Sequence, residues 1–166
     1  MIMEELEDNL YDAVEAVLPL NTQIIYANQD TPEPSGVHLT IRPIHLNPVG
    51  GVYRGTLIDK AGVERVATLQ NYEYYVQFST TGKGSGSLLV ELCGAIELPF
   101  KQDEFFDRDI SFLRKTYIRR VPDRREDAYV EAYNFEMFFL VCIETSIDDG
   151  YTTDTVEYVH IIDTIN

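Results

Sequence analysis

Ile24-Ile25-Tyr26-Ala27-Asn28-Gln29-Asp30-Thr31-Pro32-Glu33-Pro34-Ser35-Gly36-Val37-His38-Leu39-Thr40-Ile41 reads as a strand, a stiff turn and a second strand. Ile24, Ile25 and Tyr26 are β-branched or aromatic, the types that suit a pleated, half-buried surface. Pro32 and Pro34 each fix φ, remove a donor and push the preceding residue toward extended backbone. Ser35-Gly36 releases the chain. Val37, Leu39 and Ile41 then alternate with His38, Thr40 and Arg42, the period of a strand with one buried face. No group here does covalent chemistry. The stretch is a rigid corner that sets the path of a small sheet.

Upstream, Met3 to Leu18 has helical spacing, with Leu6, Leu10, Ala13, Val14, Val17 and Leu18 on one face. Glu4, Glu5, Glu7 and Asp8 crowd its first turns, where the macrodipole favours negative charge, and Pro19 ends it. Downstream, Asn47-Pro48 and Gly50-Gly51 interrupt His45 to Asp59 around a weak strand, Val52 to Ile58, and Ala61-Gly62 turns the chain. This predicts a long, hairpin-like loop excursion at 45–62, within one domain covering 1–166. Val63 to Ser79 is a long strand. Val66, Thr68, Tyr72, Tyr74, Val76 and Phe78 share one face; Arg65, Asn71, Glu73, Gln77 and Ser79 share the other. In an acidic chain, aromatics at this spacing are a core face rather than a base-stacking platform.

Thr80-Thr81-Gly82-Lys83-Gly84-Ser85-Gly86-Ser87 has the strand, glycine-rich loop, helix context of phosphate sites. The detail fails: Lys83 precedes Gly84 rather than Ser or Thr, and Gly82, Gly84 and Gly86 are evenly spaced by two. A loop with a serine N-cap is expected, then a helix from Ser87 to Leu98 with Leu88, Leu89, Leu92, Ala95 and Ile96 toward the sheet. Pro99 stops that helix. Phe100 to Phe112 reads as a short helix or helical turns, its carboxylates solvated.

Tyr117 to Val121 is a short strand inside a basic island: Arg114, Lys115, Arg119, Arg120, Arg124 and Arg125 hold six of the thirteen Lys and Arg residues. The island docks on an acidic patch of another copy, touches DNA phosphates, which the total charge opposes as its main role, or forms local pairs with Asp123, Glu126 and Asp127; all three stay open. Tyr129 to Thr145 is the dominant strand of the second half. Phe138, Leu140 and Cys142 make its later part apolar on both faces, which predicts a central strand covered on both sides. Asp148-Asp149-Gly150 then turns the chain, and Thr155 to Ile162 returns as an antiparallel partner.

Composition bounds the function. Of 166 residues, 45% are hydrophobic, enough for a sizeable core, and eleven Tyr with eight Phe favour sheet. No apolar run approaches the ~20 residues of a membrane-spanning helix, and Met1 to Asp8 is acidic where a signal peptide is basic. The expectation is a chain with no membrane partner, made and kept in a cytoplasm or in a particle assembled there. Cys93 and Cys142 sit in apolar surroundings as buried free thiols. A net charge of −15 repels DNA and suits either a solvated acidic surface or a basic partner. Asp148, Asp149 and Asp154 miss the calcium-loop spacing, and His38, His45 and His160 lie far apart with no ligand-spaced neighbour. No catalytic residue, metal ligand or cofactor is expected.

The run Tyr26 to Gly36 looks like the Asn-Gln-x-x-Pro-x-Pro-Ser-Gly signature of the phage neck and tail-terminator family, with Glu33 where that signature has Arg. The resemblance extends to the order of elements over most of the chain. It implies an α+β fold, a largely antiparallel twisted sheet with two main helices packed on one face. It implies a structural virion protein, a homo-oligomer forming a hexameric ring in the neck, assembled in the host cytoplasm. Its partners would be the tail tube protein and the head-tail connector, with DNA passing through a negative lumen without specific binding. The 45–62 excursion, carrying Val49, Val52, Tyr53 and Arg54, would reach a neighbouring subunit or ring, beside the Arg114 to Arg125 island. The alternative is an acidic DNA mimic, a protein-binding module without catalysis, which the basic island opposes.

Overall fold

The computed structural model describes residues 5–27, 34–58, 64–121, 123–125 and 128–146. In order they form α1 (Glu5–Val17), β1 (Gln23–Tyr26), β2 (His38–Ile58), β3 (Glu64–Thr81), α2 (Ser85–Ala95) and α3 (Pro99–Phe106). β4 (Ile110–Lys115), β5 (Arg119–Arg120), β6 (Asp123–Arg125), β7 (Ala128–Val130) and β8 (Ala132–Ser146) follow. The main sheet runs β1-β2-β3-β8-β4, with β5 also paired to β8; β6 and β7 form a separate ladder. The fold is α+β and mostly antiparallel.

α1 forms where its apolar spacing predicts, and buries Leu6, Leu10, Ala13, Val14 and Val17. β1 and β2 meet in parallel, Gln23 beside His38 through Tyr26 beside Ile41. A tight hairpin cannot join parallel neighbours. The proline corner itself lies at 28–33, outside the described residues, as do Ala61-Gly62, the Asp148-Asp149-Gly150 turn and the expected strand Thr155 to Ile162.

The expected loop excursion differs most. From 45 to 58 the chain is strand, not loop, paired with β3 from His45↔Tyr75 to Ile58↔Glu64. Pro48 and Gly50-Gly51 argued against a strand, but their setting disarms them. β1 covers β2 only from His38 to Ile41, so the rest of β2 is an edge among the described residues, where proline is tolerated. The glycines fall in a bulge between Val49 and Val52, and Gly50 takes φ 74°, a conformation that suits glycine. The bulge is filled from β3. Gln70, nearly buried, donates its Nε2 to the carbonyls of Val49 (3.2 Å) and Asn71 (3.1 Å).

β3 and β8 carry the core between them. Tyr74 faces Phe139, Val76 faces Met137 and Phe78 faces Phe135, all six buried. Phe78 and Phe135 stack at 5.5 Å, and Phe105 of α3 stacks on Phe139 at 5.6 Å. Leu89 and Leu92 of α2 join the same cluster. β8 is central, between β3 and β4, as expected, but among the described residues it is not fully covered on both sides: Phe138, Leu140 and Cys142 are half-buried.

Three local expectations are corrected. α2 starts at Ser85, and its N-cap is Gly84 (φ 81°) rather than a serine; Ser87 Oγ donates to the Gly84 carbonyl. The glycine reaches the left-handed conformation that the tight turn out of β3 imposes. α2 ends at Ala95, and Pro99 opens α3, at the helical position where its missing N–H costs nothing. The helical reading of 100–112 holds only to Phe106. Asp109 (φ 60°) turns the chain, and Ile110 to Phe112 begin β4 against β8, with Ile110 fully buried.

Candidate functional site

Strand alternation divides the basic island. Arg114 lies opposite Phe138 and Arg119 opposite Asn134, whereas Lys115 lies opposite Met137 and Arg120 opposite Tyr133. Met137 belongs to the core, so Lys115 and Arg120 project on the core side, and Arg114 and Arg119 on the opposite, outer side. The side chains differ in employment as well. Arg114 forms a bidentate pair with Glu73 (Nη1 to Oε2 2.7 Å, Nη2 to Oε1 3.1 Å), and its guanidinium lies 4.0 Å over the Phe138 ring. Lys115 donates to Glu97 (2.6 Å) and to the Cys93 carbonyl (3.1 Å), tying β4 to α2 and the turn after it. Arg119 and Arg120 are exposed and form no ion pair among the described residues. Arg124 and Arg125 sit on β6, paired with β7 and apart from the main sheet. Among the described side chains, the island is thus divided between the two sides of the sheet.

The β2 residues Val49 (44% exposed), Val52 (64%), Tyr53 (61%) and the exposed Arg54 lie on the long hairpin, at and just past its bulge. The first two sites, β4–β5 and hairpin, occupy different strands of one sheet.

The outer side holds a feature the sequence reading left out. His45 meets Tyr75 edge-on at 4.9 Å, Tyr75 stacks on Phe138 at 4.8 Å, and Arg114 covers Phe138. The row crosses β2, β3, β8 and β4. Burial, with a side-chain hydrogen bond to Glu136, pushes the Tyr75 phenol up. Its signal was available: period two places Tyr75 with Glu73 and Gln77, away from the core.

The glycine-rich turn does not offer a phosphate cradle. Gly82 N–H donates to the Glu131 carbonyl (2.9 Å), and Gly84 N–H to Glu131 Oε2 (3.0 Å). Tyr133 Oη donates to Glu131 Oε1 (2.7 Å). A phosphate needs such N–H groups free, and here the backbone carbonyl and the carboxylate of Glu131 occupy them. The Tyr133 hydroxyl and the Gly84 N–H hold the Glu131 carboxyl below the usual range. Glu131 lies between β7 and β8 and pins the turn before α2.

On the other side of the molecule, Glu7, Asp8, Tyr11, Asp12 and Tyr26 line an open cleft between α1 and β1. Tyr26 Oη donates to the Glu7 carbonyl. Burial raises the Tyr26 and Tyr74 phenols, with nearby Glu7 adding to both, so they stay neutral. Burial likewise raises the Cys93 thiol, and both cysteines are free. Among the described residues, no group of three or more His, Cys, Asp or Glu is placed to hold a metal, and no helix is long and apolar enough to cross a membrane.

Comparison with known proteins gives the context for these surfaces. No curated protein matches the chain. Among solved structures, the fold is similar to the tube-terminating cap of the anti-feeding prophage, with TM-score 0.53 and 10% identity over 98% of this chain and 62% of that one. A sheath/tube terminator of an extracellular contractile injection system, in its extended state, matches with TM-score 0.44 and 13% identity, over 98% and 65%. The chain thus spans less than two thirds of the length of either. The phage neck terminator family matches over residues 4–166, nearly the whole sequence, and the chain belongs to that family of structural phage-tail proteins.

Proposed function

We propose that copies of this chain close into a ring, a hexamer by the family resemblance, that caps the tail tube, stops its growth and presents its far side to the head connector. The family match over residues 4–166 carries this proposal. The likeness of the fold to a tube-terminating cap supports it. The ring works by shape and charge complementarity, without catalysis, and DNA passes through its lumen without specific contacts. Assembly takes place in the host cytoplasm. In each subunit the helices cover one side of the sheet. Support comes from Lys115 bonded to Cys93 in α2, Phe139 stacked on Phe105 in α3, and the core positions of β3 and β8 clustered with all three helices.

The test is direct. Purified protein is added to tail tubes that lack a terminator, and tube ends and lengths are measured by negative-stain microscopy. Rings at one end of each tube and arrested elongation are expected. Protein that leaves tube ends bare and elongation unchanged refutes the proposal.

A further inference from the structure

The outer side of the sheet is electrically unlike the rest of the chain. Its described charges are Arg42, Arg114 and Arg119 against Glu73, Glu136 and Glu144, a balanced set in a chain of net charge −15. The glutamates are engaged: Glu73 with Arg114, Glu136 with Tyr75, and Glu144 also has a partner. Arg42 and Arg119 are exposed and have no ion-pair partner among the described residues. They stand on β2 and β5, at opposite sides of the half-buried row Tyr75 and Phe138. Three inter-strand steps separate those strands (β2 to β3 to β8 to β5), about 14 Å at ~4.8 Å per step.

α1 is the complement. Its exposed side carries Glu5, Asp8, Asp12 and Glu15, at spacings of three, four and three residues, which places them in one stripe. The helix has no basic residue. The stripe is about 15 Å long at ~1.5 Å per residue, the same span as the two free arginines. Below it, the cleft between α1 and β1, with Tyr11 and Tyr26 as walls, gives a concave place for a guanidinium.

We propose that the outer side of the sheet docks the acidic stripe of α1 from a second copy of this chain, with Arg42 and Arg119 meeting carboxylates of the stripe and the Tyr75–Phe138 pair filling the centre. The two surfaces are different parts of the molecule, so the contact is head-to-tail, the kind that closes rings. The inference deepens the ring reading above and rests on it.

The experiment uses charge reversal with exchange. One variant carries Arg42→Glu and Arg119→Glu; the other carries Asp8→Lys and Asp12→Lys. Association is followed by sedimentation velocity over a concentration series, with circular dichroism melts to confirm folding. Each variant is expected to self-associate about tenfold or more weakly than wild type, as close charge pairs across interfaces do. An equimolar mixture regains wild-type association, because a negative sheet surface then meets a positive helix, and the remaining surfaces are native. Folded variants that each assemble like wild type overturn the inference, as does a mixture no better than its components, or a wild type monomeric at every concentration. The cap proposal fails separately, when wild-type protein ignores tube ends.

Discussion

The bulge in the long hairpin stands or falls on Gln70. Two register shifts interrupt β2 against β3, and the second falls between Val49 and Val52, so the Val49 carbonyl lies at the edge of the bulge. The Gln70 amide supplies a donor to that carbonyl at 3.2 Å and a second to the Asn71 carbonyl at 3.1 Å. Gln70→Leu keeps the bulk of the side chain and removes both donors. Each such bond contributes about 1 kcal/mol net, and a carbonyl left without a partner in a nearly buried place costs about 1–3 kcal/mol. The expected loss is about 2 kcal/mol, since water reaches part of the exposed hairpin and offsets some of the penalty. For a chain of this size that corresponds to about 4–8 °C in melting temperature. Thermal melts monitored by circular dichroism give the shift, and hydrogen exchange locates it. Amides of Val49 to Arg54 and of β3 opposite them should lose protection before those of β8. Gln70→Glu, with a carboxylate aimed at two carbonyl oxygens, should be worse than Leu at neutral pH. A leucine variant as stable as wild type, with unchanged exchange in the hairpin, would show that the bulge is held by the flanking ladder alone.

The other predictions are more local. Phe105→Ala removes a fully buried ring that stacks on Phe139 and locks α3 to β8, and should cost about 3–5 kcal/mol in urea denaturation. Gly86→Ala places a methyl 3.0 Å from the Tyr133 ring, so Tyr133 must shift and its bond to Glu131 weaken; a lower melting temperature and loss of protection at Gly84 are expected. Glu131 has a depressed carboxyl, so its contribution is present above the unfolded glutamate range near ~4.3 and is lost as pH falls through the folded value. Glu131→Gln should therefore flatten the acid limb of the stability-pH curve below that point, by an amount that shrinks with added salt.

Where a segment has a single periodicity and one buried side, the sequence was enough. α1 shows it, with five apolar positions all buried, and so does the core of β3, where Tyr74, Val76 and Phe78 alternate as read and meet the buried Phe139, Met137 and Phe135 of β8. Where local propensity and tertiary setting disagree, the setting won. Pro48 and Gly50-Gly51 are breakers by composition, yet an open edge and a bulge accommodate them, and a 21-residue strand results. Ile110 to Phe112 follow a helix and were read as its continuation. Nothing local marks Asp109 as the turn, and β8, about thirty residues later, supplies the strand that recruits them.

The candidate site shows why a cluster in sequence is a poor guide to a cluster on a sheet. Six basic residues within twelve positions look like one patch. On a helix, neighbours three or four apart would share a face, but on strands each step of one residue crosses the sheet. Arg114 and Lys115 therefore part company. One takes Glu73 on the outer side; the other takes Glu97 on the core side. The same alternation draws together residues far apart in sequence: His45, Tyr75, Phe138 and Arg114 come from four strands and touch in one row. With Arg114 consumed inside the subunit, the arginine available to another molecule on that side of the island is Arg119, and the next free one is Arg42, from a strand no basic run would single out. An interface read from the island would place binding energy on Arg114. The geometry predicts the reverse: Arg114→Ala should lower the stability of the monomer by about 1 kcal/mol, through a partly exposed ion pair and its ring contact. It should leave association intact, whereas Arg119→Glu should leave the melting temperature unchanged and weaken association. An Arg114→Ala protein that melts like wild type but no longer assembles would reverse the two roles.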